Sequence, residues 1–404
     1  MQIRDINKIY DYVFALPLLV LPFGKALPNI ALALVVICFL ADCRKLEYKR
    51  LLSFPIVVIY VFLIYIYAKG ALTGSLFSEW SVYKKLIVLF IIPILFLKVK
   101  NLNILKAGVV AGAVTMAFYT FIMASVYYYY NGNLPFNTGD VVNKLMLLER
   151  PYAGFYALIG SIFSFVLIRH YTKYKVKFII CAIVCMFFIV LISARISFLT
   201  LLVTCFIYLL FYTAIPTYKK VLFFLGSLFM LTIILVFNRN ISDRFFITGD
   251  IEKSLELASN FEPRVIIWPC CYEMTAKKDF NPVFGFSSYS IIENYLVSCY
   301  DSKISRPDKK VYYMESKFNS HNQFIDIYLN YGLTGLLIFL TFLAGIFYYI
   351  KDNFIFLAVF IGVVFFMMVE NILQRQMGCY IFGTFTGLLS LGKLYDLRNY
   401  KFTD

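Results

Sequence analysis

Long apolar runs alternate with short polar breaks along the whole chain, and the breaks carry most of the charge. The runs are roughly 17–25 residues, the length an α-helix needs to cross a hydrocarbon core. About twelve can be drawn, near 9–24, 26–42, 52–69, 83–98, 104–128, 151–169, 176–193, 195–215, 221–238, 323–349, 353–371 and 379–396. The pattern predicts an all-α, polytopic integral membrane protein. The first run reads as a span and not as a cleavable signal peptide, because no small-residue cleavage site follows it and a second run comes at once. One connection, from about Arg239 to Asn322, is far longer than the others. Its mixed charges, aromatics and turn pairs (Gly249-Asp250, Asn281-Pro282, Arg306-Pro307) predict a small folded cap. The expected organisation is therefore nine spans in residues 1–238, the cap in 239–322, and three spans with a C-terminal tail in 323–404.

Composition agrees with this class. Hydrophobic residues make up 61% of the chain and charged residues 15%, with a mean hydropathy of +0.77, far from soluble usage. The basic residues orient it, since Lys and Arg resist translocation. Alternate breaks, including Arg44, Lys45, Lys49, Arg50, Lys98, Lys100, Lys106, Arg169, Lys173, Lys175, Lys177, Lys219 and Lys220, together with both termini, hold nineteen Lys and Arg. The short breaks of the other set hold eight. Both termini are expected in the cytoplasm and the cap outside it. The formal charge of +15 is then mostly a topology signal, and no nucleic-acid partner is needed to explain it.

On the outer side, ionisable residues gather at the predicted helix mouths: Arg150 in ERPYAGFYALIG, Arg195 in LISARISFLTLL, Arg264 in FEPRVIIWP, His321 in NSHNQFIDIYLN, and Glu370 and Arg375 in VENILQRQMG. Residues 176–215 are barely long enough for two spans, so Arg195 has almost no loop to keep it in water. A guanidinium fork so placed suits an oxyanion, although it could instead snorkel to lipid phosphates. Ser320 and Gln323 form an S-x-x-Q capping box that predicts His321 in the first helical turn. The positive helix end there disfavours imidazolium and leaves a neutral imidazole able to accept a proton, unless the ring only caps the helix. Asn322, Asp326 and Asn330 form a stripe one turn apart, and Gly332 and Gly335 a small packing face. Arg264 and Trp268 would share one helix face, with Trp268 at the membrane surface and Arg264 turned inward. The alternative pairs Arg264 with Glu262 or Glu273 on a solvated face. If the site is shared, the guanidinium groups of Arg195 and Arg264 converge within about 10–12 Å.

These segments resemble the O-antigen ligase superfamily. HNQFIDIYLNYGLTGLL is similar to the signature in which a His-Asn pair opens a helix and a Gly-x-x-Gly follows. SARISFL resembles the family's arginine at a helix mouth, and RVIIWPCCYEM followed by NPVFGFSSYS resembles its Arg-x-x-x-Trp and Pro-x-x-Gly elements. The likeness runs in order from about residue 150 to 340. The chain departs from it at Gly285-Phe286-Ser287, where the family often has Gly-x-Gly, and at Asn330 or Tyr331, where it often has an acid.

The resemblance implies a metal-independent, inverting glycosyltransferase at the periplasmic face of a bacterial inner membrane. It would move a glycan from undecaprenyl diphosphate to a sugar hydroxyl of lipid A-core among the membrane lipids. Arg195 and Arg264 would stabilise the diphosphate leaving group and His321 would be the base, with Arg150, Trp268, Asn322, Glu370 and Arg375 binding substrate. The outer loop has no Asp-x-Asp-like cluster and no His/Cys ligand set, so neither metal, cofactor nor nucleotide sugar is expected. An O-antigen or exopolysaccharide polymerase and a protein-glycan oligosaccharyltransferase share the architecture and stay open as alternatives. A transporter would place charges at mid-span, where this chain has few. In the cap, Cys270 or Cys271 could bridge to Cys299, since vicinal cysteines pair poorly with each other; three free thiols are the alternative.

Overall fold

The computed structural model describes residues 3–42, 46–137, 139–222, 225–226, 229, 262–304 and 306–391. Every named element among them is a helix. They are α1 (Ile3–Val20), α2 (Ala26–Ala41), α3 (Phe54–Leu72), α4 (Ser75–Ser78), α5 (Trp80–Phe96), α6 (Leu102–Asn131), α7 (Gly139–Leu145), α8 (Arg150–His170), α9 (Lys175–Leu191), α10 (Arg195–Phe211), α11 (Arg264–Met274), α12 (Tyr289–Lys303), α13 (Pro307–Ser316), α14 (Gln323–Ile350), α15 (Phe354–Met367) and α16 (Gln376–Leu391), besides four short 3-10 turns. Most of the expected ninth span, 221–238, the first part of the cap and the C-terminal tail lie outside the described residues.

Among the described residues, five helices are long and apolar enough to cross a membrane: Phe54–Leu72, Leu102–Asn131, Arg150–His170, Thr172–Leu191 and Gln323–Ile350. Local chemistry marks their ends. Asn101 accepts from the Asn103 amide to open α6, and Gly132 closes it at φ +67°, a left-handed position that glycine takes without a Cβ clash. Asn353 opens α15 by accepting from Phe356 N.

The protein is built around α8, which is buried along most of its length. Lipid supplies no hydrophobic drive between helices, so close packing depends on small residues. Gly154 lies against Ala194 of the α9–α10 turn and Ser197 of α10, and Gly160 against Ala113 of α6. At the end opposite the cap, Asp11 accepts from the amides of Lys100 and Asn101, and Lys98 donates to the carbonyls of Cys38 and Asp42.

The cap has a core of its own. Ile267, Cys270, Cys271 and Met274 of α11 pack on Ile292, Leu296 and Tyr300 of α12 and Tyr313 of α13. A disulfide joins Cys270 to Cys299 across 5.9 Å between Cα atoms, and Cys271 stays a free, buried thiol. The bridge expected from sequence forms, with Cys270 as the partner.

The cap is stitched to α14 by backbone. Asn281 turns the NPVFG segment by accepting from Val283 N and Phe284 N, and Gly285 takes φ +75°. That turn enters a break in α14 at Gly332 (φ 62°, ψ −166°). Phe286 N donates to Leu329 O at 2.8 Å, Leu333 N to Pro282 O at 2.8 Å and Thr334 N to Val283 O at 3.1 Å. The turn thus takes up groups that the broken helix would otherwise leave unpaired. Lys69 of α3 donates to Phe286 O at 2.7 Å and also to Asn330 O.

Candidate active site

Three helices begin at one place: α10 on Arg195, α11 on Arg264 and α14 on Gln323, just after His321. A helix N-terminus carries partial positive charge and unpaired N–H groups, so convergent N-termini favour an anion. An arginine at the first position of two of them adds formal charge of the same sign, which is unfavourable until an anion arrives.

Carboxylates supply that anion here. The two oxygens of Glu262 take one arginine each, Arg195 Nη2 at 3.2 Å and Arg264 Nη1 at 2.5 Å. Because the two guanidinium groups share one carboxylate, they converge well inside the separation expected from sequence. Arg264 reaches on to Val369 O and lies 3.6 Å from Glu370 Oε1. Both readings of Arg264 therefore hold in part: it pairs with Glu262, but it is turned inward, not laid on a solvated face. The same Glu370 oxygen stands 3.4 Å from His321 Nδ1, without the alignment of a hydrogen bond. Glu370 is 3% exposed, so its charge is balanced within this chain of groups and not by water.

Relative to the helix start, His321 lies two positions earlier than the capping box predicts, because the cap moves from Ser320 to Asn322. Asn322 is the N-cap, accepting from Phe324 N and Ile325 N, while Ser320 donates to Asn322 O and Asn371 Oδ1. Gln323 accepts from Leu373 N and does not close a box. His321 precedes the helix, in left-handed backbone at φ 44°. Ser193, two residues before Arg195, is also left-handed at φ 53°. Such strain persists where surrounding structure enforces it, often at working sites.

The 369–376 segment organises the rest. Asn371 accepts from Asn322 N at 2.6 Å. Gln374 accepts from Asn319 and Tyr289 and donates to Asp326 at 2.6 Å. Asp326 also takes the Asn330 side chain at 3.2 Å, so the expected stripe of α14 does point inward. Beside it lies a small cleft of about 30 Å³ lined by Lys69, Glu79, Tyr289, Asp326, Asn330 and Gln374. Trp268 donates its indole N–H to Ser320 O at 3.1 Å, which braces the strand before His321. Asn322 donates from its side chain to Met368 O.

Not every expected residue joins this cluster. Arg375 turns the other way, onto Glu149 and over the Tyr152 ring at 5.7 Å. Arg150 opens α8 next to Glu149. Glu262, Asn371 and Gln374 were not singled out as site residues from the sequence. Only the closeness of Glu262 to Arg264 in FEPR hints at a role.

Fold and site together describe an all-helical protein with several helices long and apolar enough to cross a membrane, in which Arg195, Arg264, Glu262, Glu370 and His321 converge at helix starts. Residues 178–340 match the family model described as O-antigen ligase, so this segment is similar to the O-antigen ligase superfamily and supports the resemblance read from the sequence. Arg195, Arg264 and His321 fall inside the matched segment, and Glu370 and Arg375 fall outside it. Comparison with curated proteins returns no match.

Proposed function

We propose that this chain is a lipopolysaccharide O-antigen ligase of the bacterial inner membrane. It would have twelve spans, both termini in the cytoplasm, and residues 239–322 as a periplasmic cap between a first block (1–238) and a last block (323–404) of spans. The observation that carries the reading is one carboxylate bridging Arg195 and Arg264 at two helix N-termini, beside a histidine backed by a buried glutamate. A diphosphate leaving group needs such a fork where water is scarce.

In the proposed reaction the acceptor hydroxyl oxygen attacks the anomeric carbon of the glycan, and the bond from that carbon to the phosphate oxygen breaks. The electron pair leaves with undecaprenyl diphosphate, whose growing charge is met by Arg195 and Arg264. His321 takes the hydroxyl proton. Glu370 faces Nδ1 and would favour the imidazolium so formed, leaving Nε2 as the base. A single displacement of this kind inverts the anomeric centre. Trp268 and Asn322 hold the His321 segment in place, and the polar groups of Asp326, Asn330 and Gln374 beside it suit sugar hydroxyls.

A strain lacking the gene tests the reading. Glycan should accumulate on the lipid carrier and be missing from lipopolysaccharide, and the wild-type gene should restore it. Unpolymerised single repeats on an otherwise capped lipopolysaccharide would instead identify a polymerase.

A further inference from the structure

A second cavity, of about 460 Å³, opens on the other side of the 369–376 segment. Its walls come from the α1–α2 turn, from Lys85 of α5, from the start of α8 and from α16. Lys25, Lys85 and Arg375 line it, against the single carboxylate Glu149. Lys85 is half-buried and donates to Gln374 O at 2.8 Å. Neither Lys25 nor Lys85 has an ion-pair partner among the described residues. Arg375 spends its charge on Glu149, whose side chain is 55% exposed, a pair that an incoming anion can replace at little cost. Between these cations the wall is apolar, from Leu21, Pro28, Leu148 and Met377. Next to it, α2 turns Leu27, Ile30, Leu34 and Ile37 outward, an apolar face of the kind that meets acyl chains.

Fixed positive charge at the outer end of a bundle, on apolar walls reached from a greasy helix face, is the chemistry of a phosphate-headed lipid. We propose that this cavity binds the phosphate-bearing headgroup of a lipid, as a site separate from the Arg195–Arg264 fork. The 369–376 segment is the partition between the two. Glu370 and Asn371 face His321 and Asn322, while Lys85 and Arg375 face the cavity. On the transferase reading, on which its role rests, the lipid held here is a phosphorylated glycolipid acceptor, anchored by its phosphate while its sugars extend across the partition to His321.

Full-length protein in detergent, offered equal phosphatidic acid and phosphatidylcholine, tests the site by native mass spectrometry of retained lipid. Phosphatidic acid should be retained about tenfold over phosphatidylcholine, and Lys25→Glu, on an exposed turn, should remove most of that preference. Lys85→Gln and Arg375→Gln should each weaken it several-fold. Arg195→Ala should leave it intact, because the diphosphate fork is elsewhere. No preference in the wild type, or full preference in Lys25→Glu, overturns the site. Loss in Arg195→Ala places the lipid in the fork instead, and complete displacement by millimolar inorganic phosphate makes it a free-phosphate site; either result also overturns the proposal. The acceptor role is read in a transfer assay, where Lys25→Glu should raise KM for the acceptor with kcat and the donor KM unchanged. An unchanged acceptor KM, with retention lost, removes that role. Failure of the transferase reading itself shows separately, as transfer that survives His321→Ala.

Discussion

On the proposed reading, Glu262 stands where an oxyanion of the substrate would bind. Its two oxygens satisfy Arg195 and Arg264, and a diphosphate must displace it to reach both. Glu262→Gln should therefore tighten a lipid diphosphate donor, seen as a fall of about tenfold in donor KM; an unchanged or raised KM would show that the carboxylate positions the arginines and does not compete for them. Arg195→Lys should lose most of the activity of the wild type, about a hundredfold or more, because a point charge cannot reproduce the planar fork. Rates of transfer by equal amounts of inserted protein check it. The arginines and the histidine were legible from sequence because ionisable groups at helix mouths stand out against apolar spans. The helix begins two residues later than the capping box predicts, since Asn322 satisfies two amides at once and outcompetes Ser320 as the cap, and His321 is left outside it. Glu262 was legible only as a neighbour of Arg264, because its bond to Arg195 crosses 67 residues.

At the scale of elements, the apolar runs predicted the helices well, since length and hydropathy suffice to choose a helix in lipid. The break in α14 was not legible. Gly332 reads in sequence as half of a small packing face, yet its conformation is set by a turn some fifty residues earlier in the chain. A Cβ there would meet the backbone of Val283 and Phe284, and its φ of 62° with ψ −166° suits glycine alone. Gly332→Ala should cost at least about 2 kcal/mol and loosen the cap; wild-type thermal stability would contradict the stitched arrangement. The disulfide acts on the same unit, closing 29 residues of sequence separation, so Cys299→Ser should cost about 3 kcal/mol and speed hydrogen exchange of the α11 and α12 amides. Burial pushes the Cys271 thiol up to about 12. Its stabilising contribution is thus full below the ordinary thiol value and lost as pH climbs toward 12. In folded protein at mildly alkaline pH, maleimide should leave Cys271 unlabelled, and should label it on denaturation.

For the whole molecule, the arginine–histidine cluster and the basic cavity lie on either side of one polar segment. Residues 369–376 connect to the histidine strand, the inward stripe of α14 and the basic cavity through Asn371, Gln374 and Arg375. In sequence this segment reads as a break between two spans, and nothing in its composition reveals that its side chains are divided between facing walls. Bonds of that kind depend on which helices become neighbours, which no single apolar run encodes. The central claim is that the Arg195–Arg264 fork and His321 together move a glycan from a lipid diphosphate to a separate lipid acceptor. The most direct measurement uses purified protein in proteoliposomes with a lipid-diphosphate-linked glycan and lipid A-core, and follows glycan on each lipid over time. The account predicts glycan-bearing lipid A-core from the wild type, and none from His321→Ala even though that variant still binds the donor. Product formed by His321→Ala at a near wild-type rate, or a wild type that lengthens the donor glycan and leaves lipid A-core untouched, would contradict it.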